Sequence, residues 1–194
     1  MQETELESLP RFYSEETDST NEDAKRYFQS GKGSTALFVA NRQTAGKGRR
    51  GRQFYSPADT GIYMSILLAA PEDLEDAVCI TTATSVFVAE AVEAVTGLSL
   101  SIKWVNDLFY NDRKVCGILT EAVWGTEEGA PAGIVVGIGI NLCTEEFPEE
   151  LADIAGGLNV REKGIKERII DEIVRRILRF NGNRTDRTYL EEYR

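Results

Sequence analysis

The chain contains no histidine. That removes every catalytic dyad or triad built on imidazole and every metal site that needs His ligands. Any chemistry therefore falls to carboxylates, lysines, arginines and bound ions. Cysteine is nearly as scarce. Cys79, Cys116 and Cys143 are odd in number and share no metal-ligand spacing, which reads as reduced thiols in a cytoplasmic protein. No apolar run reaches the roughly 20 residues of a bilayer-spanning helix, and Met1–Pro10 lacks the basic and apolar regions of a signal peptide. Positive charge is also in deficit. A formal net charge of -10 argues against nucleic acid as the main partner, because its phosphates would meet overall repulsion. What remains is an ordinary globular composition, 42% hydrophobic and 28% charged over 194 residues, enough for one domain with a real core.

Against that deficit one stretch stands out, Asn41–Pro57. Gly46, Gly48 and Gly51 alternate here with Lys47, Arg49, Arg50 and Arg52. Glycine lets backbone N–H groups approach a ligand closely, and clustered cations repel one another unless an anion separates them. A polyphosphate or a carboxylate is the simplest such anion. A solvated basic turn is the alternative, and this stretch alone does not choose between them.

The flanking sequence adds context. Residues 1–10 are polar and acidic, a loose terminus, and Phe12-Tyr13 suggests a short strand. Ser19-Thr-Asn-Glu-Asp23 reads as a helix start, with a hydroxyl N-cap, acids in the first turn and Gly31 as the stop. Thr35–Ala40 and Gly61–Ala70 are strands that bracket the basic loop and would hold it rigidly. Asp73–Thr96 is the longest helical pattern, with Gly97 as C-cap. Leu98–Val105 reads as a strand. Leu108–Tyr110 and Lys114–Trp124 form a hairpin about Asn111-Asp112, and a second turn spans Gly125–Pro131. Ala132–Leu142 is an apolar strand broken by Gly137 and Gly139, glycines that mark close approach of a ligand or another backbone. Cys143–Lys163 reads as a short helix plus loops, Ile165–Leu178 as an amphipathic helix, and Arg187–Arg194 as the start of another.

Five segments occur in order: Asp18-Ser-Thr-Asn21, Gln43-Thr-Ala-Gly-Lys-Gly-Arg-Arg-Gly-Arg52, Lys103-Trp-Val-Asn-Asp107, Lys114-Val-Cys-Gly-Ile-Leu-Thr-Glu121 and Gly137-Ile-Gly-Ile-Asn141. Each is weak alone. Together they resemble the catalytic domain of biotin protein ligases, or biotin–[acetyl-CoA-carboxylase] ligases, over nearly the whole chain. The resemblance implies an α+β fold: a mixed, mostly antiparallel sheet with helices on one face. It implies one catalytic domain over residues 1–194, with no DNA-binding segment ahead of residue 12 and without the small C-terminal β-barrel usual in the family. A homodimer is compatible with it.

The implied activity joins biotin to one lysine of a biotin carboxyl carrier protein through biotinyl-5′-AMP, using ATP and Mg²⁺. Such a site must hold two anions together and keep a reactive mixed anhydride from water. By resemblance Ser19, Thr20, Asn21 and Gln43 bind biotin's ring system, joined by Lys47, Gly48 and Gly117. Arg49 and Lys114 stand at the carboxylate and α-phosphate, and Asp107 is a base or anchor for the incoming amine. Gly46, Arg50, Arg52, Phe54, Asn106, Asp107 and Asn141 meet ATP, and Mg²⁺ rides on phosphate oxygens and water. Three positions depart from the family pattern: Val105 where proline is usual, Lys47 for a common arginine, and Cys143 for asparagine. Two rivals stand beside this reading. One is a lipoate or octanoate ligase, the other a biotin-binding sensor without turnover.

Overall fold

The computed structural model describes residues 6, 8–70, 74–125, 131–182 and 188–192, with backbone only for 74–78 and 191–192. Strand β1 (Arg11–Thr17) leads through helix α1 (Thr20–Gln29) to β2 (Ala36–Gln43), and the basic loop follows before β3 (Gly61–Ala69). Helix α2 (Leu74–Thr96) precedes β4 (Ser101–Lys103), β5 (Asp107–Tyr110), β6 (Arg113–Trp124) and β7 (Pro131–Asn141). Helices α3 (Ile165–Asn181) and α4 (Tyr189–Glu192) close the order. The seven strands form one sheet, β1-β2-β3-β7-β6-β5-β4. Only β1 and β2 run parallel, as a crossover through α1 requires; every other pair is antiparallel.

Side-chain alternation divides the sheet into two faces. Ile62, Met64, Ile66 and Leu68 of β3 join Ile134, Val136, Ile138 and Ile140 of β7 in the main core, beneath α2 and α3. At full burial each contributes on the order of 2 kcal/mol relative to exposure. The other face buries a smaller cluster of Phe38, Leu67, Val123 and Val135 against Ala24, Tyr27 and Phe28 of α1. The α+β class with a mostly antiparallel sheet is as the sequence implies, and α2, α3 and α4 share a face. Helix α1 does not. It lies on the opposite face because its parallel crossover packs on Phe38 and Leu67, whose side chains point away from the main core.

Other boundaries shift for physical reasons. Strand β1 is seven residues long, because polar Ser14-Glu-Glu-Thr17 pairs with β2 while facing solvent on the sheet's edge. Strand β2 runs on to Gln43, so Asn41–Gln43 belong to the sheet and the loop proper begins at Thr44. The strand expected over Leu98–Val105 shrinks to Ser101–Lys103, and the chain turns at 104–106 with Trp104 78% exposed. No helix forms between Cys143 and Lys163. Only turns form, with bonds such as Ala152 N–H to Pro148 O and Ala155 N–H to Leu151 O, and the segment otherwise hydrogen-bonds to other parts of the fold. Cys79–Thr96 of α2 is long and apolar enough to cross a bilayer, contrary to the reading from apolar runs. Half of that stretch is buried, including Ile80, Val86, Val88 and Val92, which makes it a core helix. The expected Asp73 helix start, most of the 125–131 turn, residues 1–5 and 7, and residues 187, 193 and 194 lie outside the described residues.

Candidate active site

The site is a stripe of sheet floored by glycine. On the α1 face, Ser65 of β3 is in register with Gly137 of β7, which pairs with Leu119 of β6; the next row is Tyr63, Gly139 and Gly117. A Cβ on Gly137 would lie 2.1 Å from Asn21 Oδ1, and one on Gly139 would lie 2.5 Å from Phe54 Cε1. Neither is a possible contact, so a side chain at either position would have to displace its neighbour. The two glycines that interrupt β7 are the places where Asn21 and Phe54 reach the sheet.

One pole of the stripe is polar. Ser19 occupies the N-cap position of α1, yet its side chain makes no capping bond. The backbone N–H of Ser19 donates instead to Asp18 Oδ1 at 2.7 Å, and that carboxylate is also held by Arg26. The hydrogen bonds from Arg26 hold the Asp18 carboxyl well below the usual carboxylate range, against partial burial. The expected hydroxyl cap is therefore replaced, and the Ser19 hydroxyl is not committed to the helix. Gln43, arriving from the end of β2, accepts from Thr20 N–H at 2.8 Å and from the Thr20 hydroxyl at 3.2 Å. Its amino group donates to Ser56 Oγ at 3.0 Å, which fixes which end of the amide is which. Asn21 donates to Glu121 Oε2 at 2.7 Å, while its Oδ1 lies 2.5 Å from the buried Ser65 hydroxyl. Ser65 Oγ is also 2.7 Å from Thr20 Oγ1, and its single proton serves one of the two. Ser19, Thr20 and Asn21 are 2–4% exposed.

The other pole is charged. Lys114 Nζ sits 2.7 Å from Asp107 Oδ1 across the β5–β6 hairpin. Arg49 of the loop donates to Asn106 Oδ1 at 3.0 Å, and Asn106 is itself anchored by its amino group on Ile118 O and by Ile118 N–H on its own carbonyl. A strap from the 143–163 segment docks on the backbone of Lys114, through Lys114 N–H to Ile154 O and Gly156 N–H to Lys114 O. Asn141 donates to Gly156 O at 3.1 Å, and its Oδ1 is a buried acceptor with no partner. An acceptor in that state suits a ligand that brings a donor.

The basic loop lies over both poles. Phe54 N–H to Gly46 O and Gly48 N–H to Arg52 O close it on itself, with Arg50 in the left-handed region (φ 56°). Lys47 reaches back to Glu22 of α1 at 2.5 Å. That hydrogen bond, joined by one from Lys25, draws the Glu22 carboxyl below its ordinary value despite partial burial. Arg50 and Arg52 have no acidic partner among the described residues and border an open cleft of about 620 Å³, together with Lys47, Arg49, Leu119 and Glu121. The Phe54 ring rests on Gly117 and Gly139. Between Ser19, Thr20, Asn21, Gln43, Lys47 and Phe54 only about 20 Å³ stays open, room for a single water. Any larger ligand on the stripe must displace the Phe54 ring.

The structure thus gathers the residues that the sequence singles out. Ser19, Thr20, Asn21, Gln43, Lys47 and Gly117 converge with Phe54 on one small cavity. Arg49, Asn106, Asp107 and Lys114 converge on the hairpin. Phe54, expected among the ATP contacts, lies on the glycine floor, Gly46 and Gly48 shape the loop, and Lys47 is paired with a carboxylate. Sequence reading missed Ser56, Ser65, Lys25 and Glu121. The available signals were a lone hydroxyl inside the apolar β3 and a lone carboxylate closing the Lys114 segment.

The profile of the Biotin/lipoate A/B protein ligase family matches residues 13–141. The chain is 35% identical over 158 residues to a bifunctional ligase/repressor BirA of Bacillus spizizenii, covering 80% of this chain and 48% of that one. It is 36% identical over 129 residues to a biotin–[acetyl-CoA-carboxylase] ligase of Paracoccus denitrificans, covering 65% of this chain and 52% of that one. The chain spans about half the length of these relatives. Among solved structures, the biotin protein ligase of Aquifex aeolicus in complex with biotin and ATP superposes with a TM-score of 0.73 at 30% identity, over 90% of this chain and 72% of that one. Glycine stripe, flanking poles and these likenesses agree, and the chain belongs to the biotin/lipoate A/B protein ligase family.

Proposed function

We propose that residues 1–194 are the catalytic unit of a biotin–[acetyl-CoA-carboxylase] ligase. The observation that carries this reading is the pairing of two unlike poles by a floor of three glycines, Gly137, Gly139 and Gly117. From Gly137 to Asp107 the sheet steps two residues along and two strands across, about 12 Å from ordinary strand spacings. The floor suits an elongated ligand with a hydrogen-bonding head, an apolar middle and an anionic tail.

Biotin's ureido head offers two N–H donors and one carbonyl acceptor to Asn21, Gln43, Ser19 and Thr20. Its carboxylate tail reaches Lys114 and Arg49. A carboxylate oxygen attacks the α-phosphorus of ATP, the bond to the β-phosphate oxygen breaks, and pyrophosphate leaves with that electron pair. Lys114 and Arg49 offset the repulsion between the two anions and stabilise charge on the phosphoryl oxygens in flight. The open cleft with Arg50 and Arg52 takes the phosphates, Asn141 Oδ1 accepts from the nucleotide, and Mg²⁺ arrives bound to phosphate oxygens and water. In the second step a carrier lysine amine attacks the acyl carbon and AMP departs. Asp107, already the counter-charge of Lys114, orients the incoming ammonium and takes up its proton. Phe54 covers the mixed anhydride once it has left the floor.

A lipoate head has no N–H or C=O to satisfy the polar pole, and buried polar groups left unpaired reject such an analogue strongly. This supports biotin over lipoate or octanoate. The test is to mix the chain with biotin, Mg-ATP and a carrier domain and to weigh the carrier. A gain of one biotinyl group is expected. An unchanged carrier mass alongside tight biotin binding would instead identify a sensor without turnover, and transfer of lipoate in preference to biotin would overturn the ligand assignment.

A further inference from the structure

We infer that Glu121 is a positioning residue that fixes which end of the Asn21 amide faces the glycine floor. A carboxamide can be turned over by half a rotation with little change of shape, so only its partners decide whether it presents an acceptor or a donor. Here one partner is unambiguous. Glu121 lies in β6 two residues from Leu119, on the same sheet face as Gly117, and its Oε2 accepts from Asn21 Nδ2 at 2.7 Å. A carboxylate only accepts, so Nδ2 is held outward and Oδ1 is turned toward Gly137 and Ser65. The bond is charge-assisted and therefore of the stronger kind.

Lys25 bridges two carboxylates, its Nζ 2.8 Å from Glu121 Oε1 and 3.0 Å from Glu22 Oε1. Those two carboxylates also hold Lys25 charged, outweighing the burial that opposes its charge. Glu22 is in turn the residue that receives Lys47 from the loop. The order Lys47–Glu22–Lys25–Glu121 alternates in sign and ends on the amide that lines the cavity. Glu121 borders the open cleft beside Arg50 and Arg52 but does not line the small cavity over the glycine floor. It acts through Asn21, so that the polar pole offers an acceptor to a ligand N–H at this one position and discriminates against a head group lacking that donor.

The ligand arm of this inference rests on the proposed biotin reading; the amide arm does not. In ligand-free protein, the Asn21 side-chain amide proton signals in NMR are expected to shift in E121Q, because the carboxylate acceptor is gone, and to stay in place in Lys25→Met, which leaves Asn21–Glu121 intact. For biotin binding by calorimetry, E121Q is expected to weaken affinity about tenfold, the loss of one charge-assisted bond's orientation. K25M should change it by less than about threefold. In an Asn21→Ala background the E121Q effect should vanish. Equal losses from E121Q with and without Asn21, an effect of K25M as large as that of E121Q, or an unmoved Asn21 amide signal would each overturn the inference. If the unmutated chain binds no biotin, the function proposed above fails, while a displaced Asn21 amide signal in E121Q still upholds the positioning role.

Discussion

Gly137→Ala offers the sharpest test of how the floor is built. The added methyl would sit 2.1 Å from Asn21 Oδ1 and 2.9 Å from its Cγ, both far inside contact distance. Asn21 is 4% exposed and held on two sides, by Glu121 at 2.7 Å and by Ser65 at 2.5 Å, so it cannot simply swing away. Displacing it breaks a hydrogen bond to a charged group, about 2 kcal/mol, and adds overpacking of about 1 kcal/mol where the backbone yields. The sum of roughly 3 kcal/mol corresponds to a fall in thermal midpoint of roughly 6–12 °C for a chain of this size. Gly139→Ala is the control. Its methyl also collides, at 2.5 Å from Phe54 Cε1, but that ring belongs to a partly exposed loop side chain and can leave. A loss below about 1 kcal/mol is expected there. Urea or thermal unfolding of the two variants decides the matter. If Gly137→Ala is no less stable than Gly139→Ala, then Asn21 is not clamped as described.

Three further outcomes are expected. Lys114→Ala and Arg49→Gly should each slow biotin-dependent pyrophosphate release by about 10²–10³-fold with unfolding midpoints nearly unchanged, since both side chains are part-exposed; wild-type release in both would remove them from the chemistry. Asp18 and Glu22 bind protons less readily folded than unfolded, so their stabilisation is complete above their ordinary values of 3.8 and 4.5 and drains away as pH falls through and below them. The urea midpoint should therefore drop more steeply as pH falls below about 5 in the native chain than in an Asp18→Asn/Glu22→Gln variant, and equal slopes would contradict this. Cys116 is fully buried and its thiol is pushed up by that burial, so a thiolate-specific reagent at neutral pH should label Cys79 and Cys143 and spare Cys116 until the chain unfolds; peptide mapping that finds Cys116 modified in folded protein would refute the packing.

The parts of the molecule legible in sequence are those whose signal is local. The alternation of Ile62, Met64, Ile66 and Leu68, the apolar run of β7 and the spacing of Ile169, Ile173 and Ile177 in α3 each announce an element, because burial on one face imposes its period. The poles were legible by family resemblance: no property of Asn106 or Lys114 alone separates a site residue from a turn or surface residue. What stayed hidden depends on long-range partners. Ser65 meets Asn21 across 44 positions and Glu121 meets it across 100, and neither carries a mark of that meeting. Cys143–Lys163 reads as a short helix plus loops, yet backbone groups of Ile154 and Gly156 are taken by Lys114 and Asn141. Strand β1 was half seen, because an edge strand needs no apolar face along its full length.

The alternation of β7 has a consequence for error. Ile134, Val136, Ile138 and Ile140 fill the core, and Gly137 and Gly139 between them floor the site. A slip of one residue against β3 or β6 would drive glycines into the core as voids and isoleucines into the space of Asn21 and Phe54. No one-residue slip keeps the core full while blocking the site, or the site open while hollowing the core. For such slips, folding the strand correctly and building the site are a single event, so quality control that senses a loose core also removes chains whose site is blocked by isoleucine.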